Sequence, residues 1–479
     1  MTPAQQTLVD TVHARFGPKA VTTDADAIAP WLSDWRGRYH GASPALLSPA
    51  SRDEVAAIVG LAHAAGVPLV PQGGNTSMVG GATPDGDGSA LILSLRRMNR
   101  IRSLSADDNL AVAEAGVILA DLHAAALDAG RRFPLTLGAR GSATVGGLVS
   151  TNAGGTQVLR FGTMRSLVAG VEAVLPDGSV HDGLAALKKD NRGYDLNQLL
   201  IGAEGTLAVI TAASLRLVPA ITARAVAWVG LADPHAALAL LRRIEGPAIE
   251  SFEIVPRDSL GLVLEHIPGT RAPLERQHPW NVLIEAVATD AGAESPAALL
   301  EALLGDALEA GLADDAVVAA SEAQAEAFWR IRDSLSEAER ASGPAVQHDI
   351  SVPVADMPRF MIEGGAEAEA RFPGCRASAF GHLGDGNVHF HVRAPAGADR
   401  DRFYAEDAPA ITRLVHDMVV AAGGSISAEH GIGQMKRAEL ERLGPPSRIA
   451  ALKAIKNALD PMGILNPGKL VLAPASRAP

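Results

Sequence analysis

The sequence predicts an α+β protein with more than one domain. Its 479 residues exceed the usual size of a single domain. The composition and the predicted secondary structure also change near Pro219. Before that residue, helix-like and strand-like segments alternate between glycine-rich loops, whereas longer Ala/Leu/Glu-rich helices dominate after it. Apolar residues make up 47% of the chain and charged residues 20%, which is the balance of a globular protein with a core.

The first half of the chain alternates helix and strand signals. Arg52–Ala65 has helical periodicity, and the strand-like run VPLVP follows it after a glycine. Compact apolar runs at Ala90–Leu95 and Val168–Leu175 predict two further strands. The run Thr206–Val218 predicts a strand pair. This alternation indicates sheets connected by helices and loops.

The second half is richer in helices. Helical patterns occur at Pro234–Ile244, Pro296–Ala310 and Ala323–Ala341, and Trp280–Val287 is a strand candidate between them. A further amphipathic helix is predicted at Arg448–Leu459. A second α+β domain after Pro219 explains this pattern.

Charge and cysteine content exclude several classes of protein. The formal net charge of −12 argues against nucleic acid as a partner, because the chain has no basic excess to neutralise phosphates. The single cysteine, Cys375, cannot form an internal disulfide, which fits a reducing compartment. No secretory signal is recognisable, and charges interrupt the apolar stretches before they could span a membrane. We therefore expect a cytoplasmic protein.

Glycine-rich loops are the first candidates for a ligand site. Pro71–Gly81 (PQGGNTSMVGG) combines consecutive glycines with hydroxyl side chains, so its backbone can approach a diphosphate closely. The segments Leu137–Gly147 and Thr151–Gly155 repeat this chemistry. The dinucleotide fingerprint G-x-G-x-x-G is absent. Gly463–Lys469 matches a phosphate loop by spacing only, because Leu470 stands where a hydroxyl is required.

A histidine-rich segment is the densest polar constellation of the chain. In the predicted strand Asn387–Val392, alternation places Asn387, His389 and His391 on one face, and His382 lies across the preceding glycine turn. A second polar segment, SAEHGIG, follows at residues 427–433. Imidazoles with a carboxylate suit Zn²⁺ or Mn²⁺. From the residues alone, a hydrogen-bonded polar strand edge is an equally open interpretation.

Several motifs together resemble one known family. The runs PQGGNTSMVGG, LGARGSATVGG, STNAGG, RFGTMRS, LPDG, KKDNRGYDLNQLLIGAEGTLAVIT and NPGK are similar to the FAD-binding domain of the vanillyl-alcohol oxidase superfamily. Within it, the chain resembles the branch of D-2-hydroxyglutarate and D-lactate dehydrogenases, across residues 40–470. The resemblance implies a two-subdomain FAD-binding domain at 1–220 and an α+β cap domain with the substrate and metal residues at 221–425. It also implies a C-terminal segment, 426–479, that returns to the flavin with the catalytic histidine.

The resemblance also implies how FAD is bound. Neither histidine nor cysteine lies in the first glycine loop around Asn75, so we expect FAD to be bound without a covalent link. The residues expected to contact it lie in the glycine loops, in the GAEGTLAVI segment and in NPGK. They are Pro71, Gln72, Gly73, Gly74, Asn75, Thr76, Ser77, Gly138, Ser142, Gly146, Gly147, Thr151, Asn152, Gly154, Gly155, Glu204, Gly205, Ile210 and Asn466.

The same resemblance assigns the chemistry to a few side chains. It implies that His382, His389 and Glu429 bind a divalent metal, for which we expect zinc, and that His430 is the catalytic base. Arg332 and Ser336 are expected to bind the substrate carboxylate, and Asn387 to contact the substrate. The implied reaction is the oxidation of D-2-hydroxyglutarate to 2-oxoglutarate. In it the metal acidifies the hydroxyl, the base removes its proton and hydride passes to the flavin.

Two departures from the family pattern keep the substrate open. Gln347 stands where the family usually has a substrate-binding lysine, and His391 stands where it has an asparagine facing the substrate. D-lactate and D-malate are therefore alternative substrates. A glycolate oxidase-like flavin subunit of a larger complex and a metal-dependent hydrolase are alternative functions. With no haem motif and no set of cluster-binding cysteines, electrons are expected to pass to a separate electron-transfer flavoprotein or quinone, and the protein to form a homodimer.

Overall fold

The computed structural model of the chain describes residues 1–290 and 292–471. Contacts divide the chain into two compact units. Unit 1 comprises residues 1–155, 162–219 and the chain from Glu429 onward, and unit 2 comprises residues 156–161 and 220–428. Within the described residues, no helix is both long and apolar enough to cross a membrane.

Helices and strands alternate throughout both units. The helices are α1 (Pro3–Phe16), α2 (Ala25–Ile28), α3 (Arg52–Ala65), α4 (Leu119–Asp128), α5 (Val145–Thr151), α6 (Val158–Phe161), α7 (Met164–Leu167), α8 (Leu196–Leu200), α9 (Pro234–Ile244), α10 (Arg257–His266), α11 (Pro296–Glu309), α12 (Glu322–Asp333), α13 (Leu335–Ala341), α14 (Met357–Arg371), α15 (Arg400–Arg402), α16 (Ala408–Ala421), α17 (Arg437–Leu443) and α18 (Pro446–Leu459). The strands are β1 (Val21–Thr22), β2 (Leu46–Leu47), β3 (Leu69–Gln72), β4 (Leu91–Ser94), β5 (Ile101–Ser105), β6 (Leu110–Glu114), β7 (Arg131–Arg132), β8 (Val168–Val174), β9 (Val180–Asp182), β10 (Val209–Arg216), β11 (Val218–Pro219), β12 (Ala223–Leu231), β13 (Ile249–Pro256), β14 (Trp280–Ala288), β15 (Asp315–Val318), β16 (Ala345–Ser351), β17 (Arg376–His382) and β18 (Asn387–Arg393).

Unit 1 contains two main sheets. One has the strand order β1-β2-β4-β3, and the other has the order β5-β6-β10-β8-β9. The pairs of β4 with β2 and β3 are parallel, whereas the second sheet is antiparallel throughout. Helix α3 begins where the Ser51 side chain accepts a hydrogen bond from the Glu54 amide and ends at Gly66, whose φ is +62°. Its buried face packs with the first sheet in one core.

Most elements predicted for the first half are confirmed. The helix at Arg52–Ala65 has the predicted bounds, and the strands predicted at Ala90–Leu95 and Val168–Leu175 are present as β4 and β8. The predicted strand pair at Thr206–Val218 is wrong. This segment forms one long strand, β10, which pairs with β6 on one side and β8 on the other. Its residues are buried on both faces except at the last position, so no turn interrupts it.

Unit 2 is built on a seven-stranded antiparallel sheet. The strand order is β15-β12-β14-β13-β17-β18-β16. One face packs against α9, α11, α14 and α16 in the larger apolar core of the unit. The opposite face packs against α10, α12 and α13 in a second core. The predicted helix at Pro234–Ile244 is confirmed as α9, and the predicted strand at Trp280–Val287 as β14.

Two features of unit 2 differ from the sequence pattern. The single helix predicted at Ala323–Ala341 is interrupted at Ser334, where α12 ends and α13 begins. Arg332 and Ser336 therefore lie on two successive helices. In addition, residues 156–161 belong to this unit: the Ser251 hydroxyl donates to the Thr156 carbonyl at 3.0 Å, within a contact between α6 and β13.

Candidate active site

The first two glycine loops of unit 1 pack directly on each other. An ideal Cβ placed on Gly73 would lie 2.1 Å from the Thr144 hydroxyl oxygen, and one on Gly74 would lie 1.9 Å from the Ser142 carbonyl oxygen. Real Cβ atoms do not approach other atoms so closely, so only glycine permits this contact. The structure thus brings together the loops at 71–81 and 137–147 that the sequence singled out.

The third glycine segment joins the same assembly. An ideal Cβ on Gly155 would lie 2.2 Å from the Thr136 carbonyl oxygen. The Thr151 hydroxyl donates to the Gly147 carbonyl at 3.0 Å. Asn152 adopts a left-handed conformation with φ of +50°, and its side-chain oxygen accepts from the Arg165 amide at 2.9 Å. These bonds fix the backbone that follows α5.

The remaining residues predicted to contact FAD lie in or beside these loops. The Asn75 amide group donates to the Ser33 carbonyl at 2.9 Å, and the Ser77 hydroxyl accepts from the Gly81 amide at 3.0 Å. Gly146 packs against Ala115, and Gly205 packs against Pro71. Ile210 in β10 and Gly154 are buried, and Thr76 is half-buried. An ideal Cβ on Gly138 would meet no atom within 4 Å.

Buried polar atoms in this assembly test whether it fits FAD. Within the described residues, the Gln72 side-chain oxygen, the Thr144 hydroxyl and the Asn466 side-chain oxygen are buried and have no hydrogen-bond partner. A buried polar atom without a partner is costly, so it indicates a missing ligand or water. All three atoms belong to the predicted cofactor segments or their immediate neighbours. The residues present therefore fit a dinucleotide cofactor.

Glu204 connects the predicted cofactor residues to the segment with Glu429 and His430. Its two carboxylate oxygens accept from the Ile432 amide at 2.8 Å and the Gly433 amide at 2.7 Å. Its carbonyl accepts from the Asn466 side chain at 2.7 Å. Burial raises the pKa of Glu204, although the two amide donors and Lys436 lower it. Both Glu429 and His430 are half-buried in this part of unit 1.

The predicted histidine strand is present in unit 2 as β18. Its residues pair with β17 on one side and β16 on the other, so three rows of side chains share one sheet face. The rows are His382–Asn387–Ser351, Phe380–His389–Asp349 and Ser378–His391–Gln347. Phe380 belongs to the core formed with α10, α12 and α13, which identifies the side of the sheet. We call these nine residues the polar face.

His382 and Arg332 meet on a shared carboxylate. Glu253, on β13, accepts from His382 Nδ1 at 2.6 Å and from Arg332 Nε at 2.7 Å. Arg332 Nη2 lies 3.1 Å from His382 Nε2. Burial raises the pKa of Glu253, but the positive charge of Arg332 and the contact with His382 outweigh it, so the pKa lies below its ordinary value. Glu253 is therefore an anion that orients both side chains.

His389 lies beside His382 on the polar face. The ring centroids are 5.6 Å apart and the rings are nearly perpendicular. Burial, with His382 and Arg332 nearby, holds the pKa of His389 well below its ordinary value. A neutral imidazole offers the lone pair that a metal requires, and a carboxylate on the other nitrogen of His382 is typical of metal-binding histidines. The donor set therefore fits a divalent ion such as zinc.

Asn387 leaves one polar atom of this face unsatisfied. Its amide group donates to Asp349 Oδ1 and to the Ile350 carbonyl, both at 2.9 Å. Its side-chain oxygen is buried and has no hydrogen-bond partner among the described residues. This oxygen is available to accept from a ligand, and the orientation of the amide is fixed by its two bonds.

The two departures from the family pattern are direct neighbours. Gln347 and His391 are cross-strand partners in the pairing of β16 with β18. His391 Nδ1 hydrogen-bonds to Glu339, on α13, and the Ser378 hydroxyl donates to the same carboxylate. Burial raises the pKa of Glu339, but His391 and Ser378 outweigh it and hold the pKa below its ordinary value. On α13, Ser336 is half-buried.

Sequence reasoning missed Glu253, Glu339 and Asp349. A weak signal existed for Glu253, because a charged residue inside the apolar run IESFEIVP needs a partner if the strand is buried. Glu339 lies in an ordinary charged helix, SEAERA, and offers no such signal. Asp349 lies in the segment that drew attention to Gln347, and the pairing that places it opposite His389 is a long-range feature.

Comparison with known proteins identifies the family. Residues 43–183 match the model of an FAD binding domain, and residues 221–470 match the C-terminal domain of FAD linked oxidases. The chain is 36% identical over 461 residues to the mitochondrial D-2-hydroxyglutarate dehydrogenase of Arabidopsis thaliana, covering 95% of this chain and 80% of the relative. It is 35% identical to D-2-hydroxyglutarate dehydrogenase of Stutzerimonas stutzeri, covering 97% of this chain and 99% of the relative.

Solved structures show the same fold. The 4-ethylphenol oxidase of Gulosibacter chungangensis matches with a TM-score of 0.71 and 19% identity, over 99% of this chain and 98% of that one. A p-cresol methylhydroxylase matches with the same TM-score and 14% identity, again over 99% and 98%. The FAD-binding domain match and the relatives named dehydrogenases remove the hydrolase alternative. The chain belongs to the FAD-linked oxidase family and is an FAD-dependent oxidoreductase with the two-domain fold of vanillyl-alcohol oxidase type.

Proposed function

We propose that the protein oxidises D-2-hydroxyglutarate to 2-oxoglutarate. The observation that supports this substrate most directly is Arg332 of α12, whose side chain is 12% exposed and lies 3.1 Å from His382 of the polar face. An arginine offers a bidentate fork to a carboxylate, and a dicarboxylic substrate has a second carboxylate to fill it. The relatives named D-2-hydroxyglutarate dehydrogenase, at 35–36% identity, support the same proposal.

We propose that the glycine loops at 71–77, 138–147 and 151–155, with Asn466, bind FAD without a covalent link. The chemistry that FAD supplies when bound is acceptance of hydride from C2 of the substrate. The protein's part is to hold the substrate carbon against the flavin and to exclude water.

We propose that His382, His389 and Glu429 bind a divalent ion, with zinc as the first candidate. The chemistry that the ion supplies when bound is Lewis acidity toward the substrate hydroxyl. Glu429 follows Ala428, the last residue of unit 2, directly in the sequence. The preceding residue, Ala428, donates its amide to the carbonyl of Asp349 at 3.4 Å, and Asp349 is the cross-strand partner of His389.

His430 is the proposed catalytic base. Histidines ordinarily titrate near neutrality, so a neutral imidazole is available at working pH to take the hydroxyl proton. The substrate loses that proton to His430 and its C2 hydrogen with the bonding electron pair to the oxidant, which leaves the 2-oxo acid. Arg332 binds the distal carboxylate, and the unsatisfied oxygen of Asn387 accepts a hydrogen bond from the substrate.

The pair Gln347 and His391 keeps two other substrates in consideration. Glutamine donates hydrogen bonds but has no charge, so the grip on a distal carboxylate depends more on Arg332 and on His391. D-malate and D-lactate are therefore the alternatives that the test must include. The electrons are proposed to leave through a separate electron-transfer flavoprotein or quinone.

Steady-state turnover with an artificial electron acceptor tests the substrate. We expect kcat/KM for D-2-hydroxyglutarate to exceed the values for D-malate, D-lactate and glycolate by about tenfold or more, the worth of one charge-assisted contact. The Arg332→Ala variant should lose this preference. An equal or higher kcat/KM for D-lactate in the unmodified protein would refute the proposed substrate.

A further inference from the structure

Glu253 joins two side chains that the proposed function uses separately. We propose that Glu253 is a positioning residue that makes metal binding at His382 and the release of Arg332 toward the substrate one coupled event. This proposal rests on the proposed function, in which His382 is a metal ligand and Arg332 binds the substrate carboxylate. Only the weak signal of a charged residue inside an apolar run pointed to Glu253 in the sequence.

The three side chains form a closed ring of contacts. Glu253 Oε1 lies 2.6 Å from His382 Nδ1, and Oε2 lies 2.7 Å from Arg332 Nε. Arg332 Nη2 closes the ring at 3.1 Å from His382 Nε2. The side chains of Glu253, Arg332 and His382 are only 1%, 12% and 8% exposed, so water competes little for these bonds.

The hydrogen-bonding roles in this ring follow from chemistry. An ionised carboxylate only accepts and a guanidinium only donates. His382 must therefore donate from Nδ1 to Glu253 and accept at Nε2 from Arg332. A metal ion requires the same Nε2 lone pair, because Nδ1 is engaged by the carboxylate. Arg332 and the ion therefore compete for one nitrogen of His382.

Charge decides how the competition is resolved. Arginine stays protonated in proteins, so an ion at His382 Nε2 would meet a positive charge at hydrogen-bond distance. Arg332 can move its Nη2 group away while Nε remains on Glu253 Oε2. The displaced N–H groups then turn from His382 toward the distal carboxylate of the substrate. Metal binding at His382 thus turns the Arg332 guanidinium toward the substrate. The Glu253 carboxylate keeps its hydrogen bonds to both side chains throughout.

Zinc affinity of the substrate-free, FAD-loaded protein tests the coupling. It is measured by competition with a chromophoric chelator, and bound zinc is counted by mass spectrometry. We expect Arg332→Met to bind zinc about tenfold more tightly, because the competing donor is removed. Glu253→Gln should bind it about 10- to 100-fold more weakly, the usual effect of losing a carboxylate behind a metal-binding histidine.

Arg330→Met is the matched control on the same helix. Arg330 is largely exposed and donates to the Pro268 carbonyl at 2.8 Å, away from the ring. Its substitution should leave zinc affinity unchanged. A purely structural ion pair between Arg332 and Glu253 predicts lower stability in both variants and no gain in zinc affinity. Unchanged or weaker zinc binding in folded Arg332→Met therefore overturns the proposal.

A double variant covers the case in which Glu253→Gln fails to fold. Glu253→Gln/Arg332→Met removes both charges and leaves no buried ion unpaired. It should bind zinc at least tenfold more weakly than Arg332→Met alone, since only the carboxylate differs. Equal affinities would remove Glu253 from the positioning role. Because no substrate is present, these outcomes stand apart from the substrate assignment: an enzyme that prefers another hydroxy acid still reports the coupling.

Discussion

Two histidines of the polar face are hydrogen-bonded to buried carboxylates that lie on neighbouring elements. Glu253 engages His382 through Nδ1, and Glu339 engages His391 in the same way. Each carboxylate fixes which ring nitrogen bears the proton and which one faces a ligand. The ring orientations of His382 and His391 are consequently set by carboxylates on neighbouring elements.

The His430→Ala variant tests the proposed base at the scale of one residue. We expect the variant to fold and retain FAD, because Glu204 holds this segment through the backbone amides of Ile432 and Gly433 rather than through the imidazole. The rate of flavin reduction should fall by about 10²- to 10⁴-fold, the usual contribution of a general base. Stopped-flow absorbance under anaerobic conditions measures it. An unchanged reduction rate would exclude His430 from proton removal.

The local sequence pattern predicts which residues of β18 share a face, but it does not predict the contacts between residues that are distant in the sequence. The alternation in β18 was enough to predict that Asn387, His389 and His391 share a face, because successive side chains of a strand point to opposite faces of the sheet. Glu253 is 79 residues from Arg332 and 129 from His382 in sequence. Their contact depends on β13 pairing with β17, which no local pattern specifies.

Contact between two loops of unit 1 can be tested through Gly74. An alanine Cβ would lie 1.9 Å from the Ser142 carbonyl, a backbone atom that cannot move alone. We expect Gly74→Ala to separate the loops, to lower the content of bound FAD after purification, and to cost about 1–3 kcal/mol of stability. The ratio of flavin to protein absorbance measures the first effect.

Gly305→Ala is the control for this variant. Gly305 lies in α11, and an ideal Cβ there meets no atom within 4 Å. Alanine should be neutral or stabilising at a helix position, and FAD content should not change. Full FAD content in Gly74→Ala would show that the loop contact is unnecessary for cofactor binding.

The attachment of α13 to the sheet of unit 2 should depend on pH. Glu339 of α13 has a pKa below its ordinary value of 4.5. A lowered carboxyl pKa stabilises the folded state above the ordinary value, and this contribution is lost as pH falls below it. We expect the free energy of unfolding to drop below about pH 4.5 in the unmodified protein. Glu339→Gln should show a shallower drop and cost about 3–5 kcal/mol at pH 7.

Urea unfolding followed by tryptophan fluorescence, to which buried Trp228 of unit 2 contributes, can measure this dependence. The control is Glu337→Gln, an exposed position on the same helix. Identical pH profiles for the unmodified protein and Glu339→Gln would contradict the role given to the carboxylate.

Helices and strands with capping residues or clear periodicity could be predicted from the sequence. The breaks between successive elements could not. The helix at Arg52–Ala65 has a side-chain cap at one end and glycine at the other, so its bounds could be read directly. The break at Ser334 has no glycine or proline to mark it, and its geometry, with φ of −84° and ψ of −5°, is nearly helical. The error at Thr206–Val218 came from a long strand buried on both faces, which has no alternation to count.

For the molecule as a whole, each unit has its own apolar core and its own set of functional residues. Unit 1 contains the glycine loops and the segment with His430, and unit 2 contains the polar face. The proposed reaction requires both sets of residues, one for the cofactor and one for the hydroxy acid. Because the formal net charge is −12, the proposed binding of an anionic substrate requires local cations such as Arg332.

The most direct test of the proposed reaction is the anaerobic absorbance spectrum of the purified protein, recorded before and after adding D-2-hydroxyglutarate. We expect a flavin band that bleaches with this substrate and does not bleach with its L-enantiomer. D-malate, D-lactate and glycolate, added separately, should bleach it more slowly. A flavin band that D-2-hydroxyglutarate leaves unchanged would contradict the proposed function, even though the family and the fold would stand.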